Sequence, residues 1–275
     1  MAQYREEIVG NVSEFIRLVN SEKDSAEAVR QNADFLFRGQ REDLPLLPRL
    51  ARLRLKGSIQ NVEKLMLKEF KRTSLPYIEF TPADDWDQLS LAQHFGLPTR
   101  LLDWTFSALI GLWFAVRRPP AKNNENHLKH GVVWVLMPEL EDFRTENEAE
   151  HPLSVPRTRI FRPKVISKRI SAQAGAFTVH RINPGGNVVR FETHRTYAEK
   201  LLKVIIPPQQ FSTCRQQLHI LGVNSSTVFP DLPGLCEHLE WRYSYQTDEK
   251  PPRKLVIKAQ LPTPPDSSQK VVGRK

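Results

Sequence analysis

The segment Leu91–Thr105 (LAQHFGLPTRLLDWT) sets Gln93, His94, Thr99, Arg100, Asp103, Trp104 and Thr105 among side chains suited to a core. Leu101 and Leu102 stand between a cation and a carboxylate, and charges held beside buried residues are costly unless they are answered. Arg100 and Asp103 are therefore expected to pair with each other or with a ligand. A second charge in an awkward place is Arg38, which closes the apolar run Phe35–Phe37. Its planar fork suits a carboxylate or a phosphate. Within the chain its candidate partners are Glu63 and Glu69, the latter flanked by Lys68 and Lys71 and better suited to a solvated salt bridge.

Each of these residues admits a chemical and a structural reading. Arg38 binds a phosphate bidentately or closes an internal salt bridge. Gly39 allows close approach of a ligand to the main chain. His94 acts as a proton donor or ribose contact near neutral pH, or is a satisfied structural histidine. Asp103 orients His94 or Arg100, or serves as the acidic group of a site. Trp104 stacks on a base or nicotinamide ring, or is core beside the apolar helix that follows. Other chemistries lack their residues: there is no Gly-x-Ser-x-Gly elbow, no phosphate loop ending in Lys-Ser/Thr and no His-Glu-x-x-His. The eight histidines show no metal-ligand spacing, so no metal is expected. Cys214 is read as lining the apolar face of a helix, not as a nucleophile.

The elements that must position these groups follow from periodicity and breakers. Apolar residues at helical spacing predict an amphipathic helix over Glu6–Val19, with Asn20–Gln31 beginning as a loop. Asp34–Gln40 reads as a short buried strand ending in a turn. Leu44–Leu50, with two prolines, is irregular, and Asn61–Thr73 is a helix. Asp84 or Asp85 caps a helix from Trp86 into His94. Gly96 and Pro98 end it, leaving Thr99–Thr105 on an ordered turn. Phe106–Arg117 is an apolar helix and Gly131–Met137 a central strand. Pro138–Arg159 is expected as loops, Lys164–Ile170 and Gly175–His180 as strands, and Asn183–Asn187 as a turn. Leu201–Ile206 is a strand, Phe211–Leu221 a helix, Ser226–Leu232 an extended run, and Leu235–Tyr243 a last helix. The fold class is α+β: one domain with a mixed, mostly antiparallel sheet flanked by helices. An N-terminal helical segment (1–34) packs on the core (35–245), and residues 246–275 form a flexible, Pro-rich basic tail.

With 275 residues, 40% hydrophobic and 26% charged, the chain can bury a sizeable core. No apolar run approaches a membrane span, the N-terminus lacks a signal peptide's apolar core, and two cysteines make no disulfide framework. A cytoplasmic protein is the expectation. Net charge is +9, which favours an anionic partner. From Gln246 onward seven Lys/Arg face three Asp/Glu, so 7 − 3 = +4 of that charge lies in the tail.

Taken together, Phe37-Arg-Gly-Gln40, Gln93–Thr105, Gln173-Ala-Gly-Ala-Phe177 and Thr227–Leu232 resemble the FRG domain family, which is named for its Phe-Arg-Gly tripeptide. The resemblance runs from about Phe35 to Leu239 and implies a bacterial protein. Arg38-Gly39 is also similar to the Arg-Gly pair with which one branch of ADP-ribosyltransferases contacts its dinucleotide. That second likeness implies NAD, a role in toxicity or antiviral defence, and Arg38, Gly39, Gln93, Thr99, Arg100, Trp104 and Thr105 as cofactor contacts. His94, Asp103 and Gln173 would be the catalytic groups. Gln173 stands where those enzymes place a glutamate, and an amide stabilises developing positive charge less well than a carboxylate. Three functions are thus open: a nucleotide-handling ADP-ribosyltransferase-like effector, a non-catalytic nucleotide- or nucleic-acid-binding module, and a structural interaction domain.

Overall fold

The computed structural model describes residues 3–27, 34–78, 81–145, 151–164 and 172–251. Seven strands form one mixed sheet in the order β1-β7-β4-β2-β3-β6-β5. They are β1 (Arg5–Ile8), β2 (Leu36–Gln40), β3 (Leu101–Thr105), β4 (Gly131–Leu136), β5 (Arg159–Phe161), β6 (Gly175–Val179) and β7 (Leu201–Ile206). Only β1 against β7 is parallel. Helices are α1 (Val12–Glu27), α2 (Ile59–Thr73), α3 (Asp85–His94), α4 (Ala108–Val116), α5 (Phe211–Ile220), α6 (Ser225–Val228) and α7 (Leu232–Tyr243). This is the α+β domain the patterning implied.

Side-chain alternation divides the core. On one face, Phe37, Val133, Val135, Leu202 and Val204 bury against α1, α4 and α5. Farther along the same face, Leu101, Phe177 and Val179 pack under Trp86 and Leu89 of α3. The opposite face, with Leu36, Leu102, Trp104, Trp134 and Ala176, is covered by Leu46, Phe191 and Tyr197 from irregular chain. The two helical groups part above β2 and β3. Those strands pair only at Phe37↔Thr105 and then diverge. The gap lies at the middle of the sheet.

Close approach of α4 to β2 depends on two glycines. A Cβ on Gly39 would lie 2.0 Å from the Gly111 carbonyl oxygen, and one on Gly111 would lie 2.6 Å from the Phe37 Cβ. Backbone meets backbone there, so no side chain fits. Gly39 was expected to admit a ligand; what fills the space of its missing Cβ is helix α4. The glycine still borders the cavity described below.

Several expectations are corrected. Glu6–Ile8 belong to an edge strand, not a helix, and Ile8 is 69% exposed. Gly10 breaks the chain, and Asn11 Oδ1 accepts from the Glu14 amide at 2.9 Å, so the helix starts at Val12 and runs through the expected loop to Glu27. The segment after Thr99 is a central strand, because Leu101–Thr105 pair residue by residue with β6 and send Leu101 and Leu102 into cores on opposite faces. Ser225–Val228 is a short helix, since the Asn224 side chain accepts from the Ser226 amide while Thr227 Oγ1 accepts from the Asn224 amide. Arg159, the end of the expected Pro138–Arg159 loops, opens a strand that runs to Phe161. The proposed strand beyond Lys164 and the tail from residue 252 lie outside the described residues. The start of the expected tail packs on the domain: buried Arg215 donates to Asp248 at 2.7 Å and to Glu249 at 2.9 Å.

Candidate functional site

Where the two helical groups part, a cavity of about 380 Å³ opens over the β2–β3 gap. Most of its polar lining comes from four stretches. Strand β2 supplies Arg38 and Gly39, the end of α3 supplies Gln93 and His94, β3 supplies Asp103 and Thr105, and Gln173 leads into β6. That volume falls in the roughly 300–1,000 Å³ range of small-molecule pockets.

Arg38 is the most constrained group. By alternation it belongs with Leu36, but the divergence of β2 from β3 lets its guanidinium cross the gap. Nη1 donates to the Asp103 main-chain oxygen at 2.8 Å, and the Asp103 carboxylate lies 3.8 Å away. In a continued register Gly39 would face Asp103 (37 + 105 = 39 + 103), so the side chain occupies a position that strand pairing has vacated. Arg38 Nε is buried and makes no hydrogen bond among the described residues. Burial of the guanidinium lowers its pKa from the ordinary value, an effect that Asp103 opposes and Arg52 reinforces. A cation with a spare, desolvated donor favours an incoming anion.

Asp103 is held from its other side. Thr99 Oγ1 donates to Gln93 Oε1 at 2.6 Å, and Gln93 Nε2 donates to Asp103 Oδ2 at 3.0 Å. The carboxylate is therefore fixed while its side chain stays 57% exposed. It is the one carboxylate among the cavity-lining residues. Thr105 Oγ1 donates to the Gln173 carbonyl at 2.6 Å, tying β3 to the start of β6. Gln173 Nε2 donates to Val228 O at 3.3 Å. Between Gln173 and Gly175, Ala174 has φ 43°, a left-handed conformation that a side chain rarely adopts.

Three expected contacts fall elsewhere. Arg100 does not answer Asp103. It is 3% exposed and pairs with the fully buried Glu63, Nη2 to Oε2 at 2.6 Å, with the Arg100 amide donating to Oε1 at 2.9 Å. Glu63 is thereby removed as a partner for Arg38, and Glu69 pairs with Arg72 on the surface. Thr99 is buried and reaches the cavity only through Gln93. Trp104 borders the cavity, but its indole alternates to the other face, where Nε1 donates to Thr178 Oγ1 at 3.1 Å and the ring sits 5.7 Å from Phe191, as the core reading expected.

The aromatic walls are instead Phe114, Phe177 and Phe229. Phe114 and Arg117, one turn apart at the end of α4, both face the cavity, and the Arg117 guanidinium lies 5.3 Å from the Phe229 ring centroid. Sequence reading placed these residues in a helix buried on most sides. Their spacing of three, with a cation at the end of an apolar run, was the available signal.

Residues 33–124, which carry the first half of this site, match the FRG domain family. The match supports the FRG resemblance over the stretch holding Arg38, Gly39, Gln93, His94, Asp103, Phe114 and Arg117. The FRG tripeptide, Phe37-Arg38-Gly39, is divided in its tasks: Phe37 enters the core, Arg38 crosses the strand gap, and Gly39 admits α4. Gln173, Phe177 and Phe229 complete the cavity from beyond the matched residues. No curated protein and no solved structure matches the chain.

Proposed function

We propose that the cavity binds a nucleotide, with its base against Phe114, Phe177 and Phe229 and a phosphate on Arg38. The observation that carries this reading is the orphaned Nε of Arg38, a buried donor aimed at nothing the described residues supply. Aromatic rings and a guanidinium in one 380 Å³ space suit a flat ring joined to an anion.

An NAD-type dinucleotide is the finer form of the proposal, within an effector of bacterial defence or conflict. The residues fit it in part. Arg38 would hold a phosphate of the dinucleotide, and Asp103 would set negative charge against the positive charge that develops on a ribose as its base departs. Gln93 and Thr99 orient that carboxylate. Gln173 carries no charge and is left a polar contact, with Nε2 donating to Val228 O at 3.3 Å. His94 borders the cavity within reach of a ribose hydroxyl and serves there as a polar contact.

The experiment is thermal shift with AMP and NAD, followed by assay for released nicotinamide. Saturating ligand should raise the melting temperature of the parent protein and leave Arg38→Ala unchanged. Equal response of both proteins would remove the binding proposal. Binding without nicotinamide release would leave the nucleotide-binding module and remove the transferase.

A further inference from the structure

Beyond the Arg38–Asp103 pair lies a second cavity of about 240 Å³. It shares Arg38, Gln93 and Asp103 with the first, so those three side chains form a common wall between two compartments. The first compartment is aromatic. The second is lined by Arg49 and Arg52 as well as Arg38, with Asp103 as its lone carboxylate. Three guanidinium groups against one acid leave a net positive site.

These cations are not committed elsewhere to carboxylates. Arg49 Nη1 donates to the Gly96 carbonyl at 3.1 Å, which fixes it beside the turn after α3. Gly96 holds that turn with φ 87°, so the carbonyl's direction is set by the backbone. No ion pair to an acidic group involves Arg49 or Arg52 among the described residues, and the chain from Leu44 to Val62 contains no Asp or Glu. Like charges gathered around a concavity are unfavourable unless an anion fills it.

We infer that Arg49 and Arg52 form a second anion subsite, so that the ligand carries at least two phosphoryl groups, the first on Arg38 and the next beyond the shared wall. The inference rests on the nucleotide reading of the first cavity and adds what that reading leaves open. A nucleoside monophosphate fills the aromatic compartment and Arg38 alone. A diphosphate would pass over the exposed edge of the Arg38 guanidinium, which then contacts both phosphoryl groups, and reach toward the second guanidinium pair. Planar forks aimed at successive phosphates are the arrangement expected for a pyrophosphate.

The test compares AMP with ADP by calorimetry on three proteins: the parent, Arg38→Ala, and the double variant Arg49→Ala/Arg52→Ala. The exposed positions of the pair make the double variant safe for folding, which circular dichroism checks. The parent should bind ADP at least tenfold more tightly than AMP. In the double variant the ratio should fall close to one, ADP losing far more affinity than AMP, and Arg38→Ala should lose both ligands. Equal affinity of the parent for AMP and ADP, or a ratio that survives in the double variant, overturns the second subsite and leaves the nucleotide reading standing. Failure of the parent to bind either compound overturns both.

Discussion

The guanidinium of Arg38 donates to the main-chain oxygen of Asp103 at 2.8 Å, and the same two residues stand 3.8 Å apart as an ion pair. One side chain thus closes a gap in the sheet and lines the cavity above it. The structural reading of Arg38 is met by this contact, and the proposed ligand-binding role would fall to the same residue. The contact to the carbonyl uses Nη1, and Nε makes no hydrogen bond among the described residues.

Arg38→Lys should separate the two tasks. A lysine keeps the charge but presents no fork, so nucleotide affinity should fall tenfold or more. Stability should drop by about 1 kcal/mol for the weakened contact to Asp103. Urea denaturation with ligand titration checks both; unchanged affinity would show that the fork is not used.

Asp103→Asn should act in the opposite direction on binding. The amide still accepts from Gln93 through its oxygen, and the only carboxylate beside the phosphate is gone. Phosphorylated ligands should bind as tightly as in the parent or up to about tenfold more tightly, since like-charge repulsion is relieved. Any nicotinamide release should be lost. Weaker binding with turnover intact would reverse the assigned role.

Gly39→Ala should destabilise by roughly 3 kcal/mol, because the new methyl meets the Gly111 carbonyl and the Ala115 amide, neither of which can rotate away. For a domain of this size that is a fall in Tm of about 6–12 °C. An alanine protein as stable as the parent would refute the backbone-to-backbone packing of β2 on α4.

Glu63→Gln should cost about 3–5 kcal/mol by leaving Arg100 buried without its counter-charge. The double change Glu63→Leu/Arg100→Met should be less damaging than the single one, since an apolar pair avoids the desolvation of two ions. Chemical denaturation of the three proteins decides, and additive losses would count against the pair.

Acid should weaken the fold through His180. Burial, with His194, Arg38 and Arg100 nearby, pushes its pKa down to about 3, and Thr178 Oγ1 lies 3.0 Å from Nε2. The unfolded chain takes up a proton near pH 6.5 that the folded state refuses. Stability from this group is therefore full above about pH 6.5 and lost as pH falls toward 3, by about 1.4 kcal/mol per unit. His180→Gln should flatten that slope; an unaltered slope would assign it to other groups.

The strands and helices with strong periodicity were legible: β4 and β7 as apolar runs, α2 by its stripe, α3 by the Asp84 cap. Arg38, Gln93, His94 and Asp103 could be singled out because charged or polar groups stood among core residues, and Gln173 only through the family resemblance. Two things were hidden. Partner choice for Arg100 is a long-range matter, since Glu63 is 37 residues away and no local pattern links it to Arg100 rather than to Arg38. The face on which a side chain lies depends on where a strand begins: reading Thr99–Thr105 as a turn left Trp104 free to face a ligand, and its place in β3 sends it to the opposite core.

Arg215 sets the minimum unit that can be expressed. Its guanidinium, 4% exposed, is neutralised by Asp248 and Glu249, and Trp241 Nε1 donates to Glu249 as well. A protein truncated after Tyr243, where the last helix stops, would strand an internal cation whose counter-ions had been cut off. Shortened versions for crystallisation or fusion should therefore retain the chain through at least Lys250, and linkers belong after it.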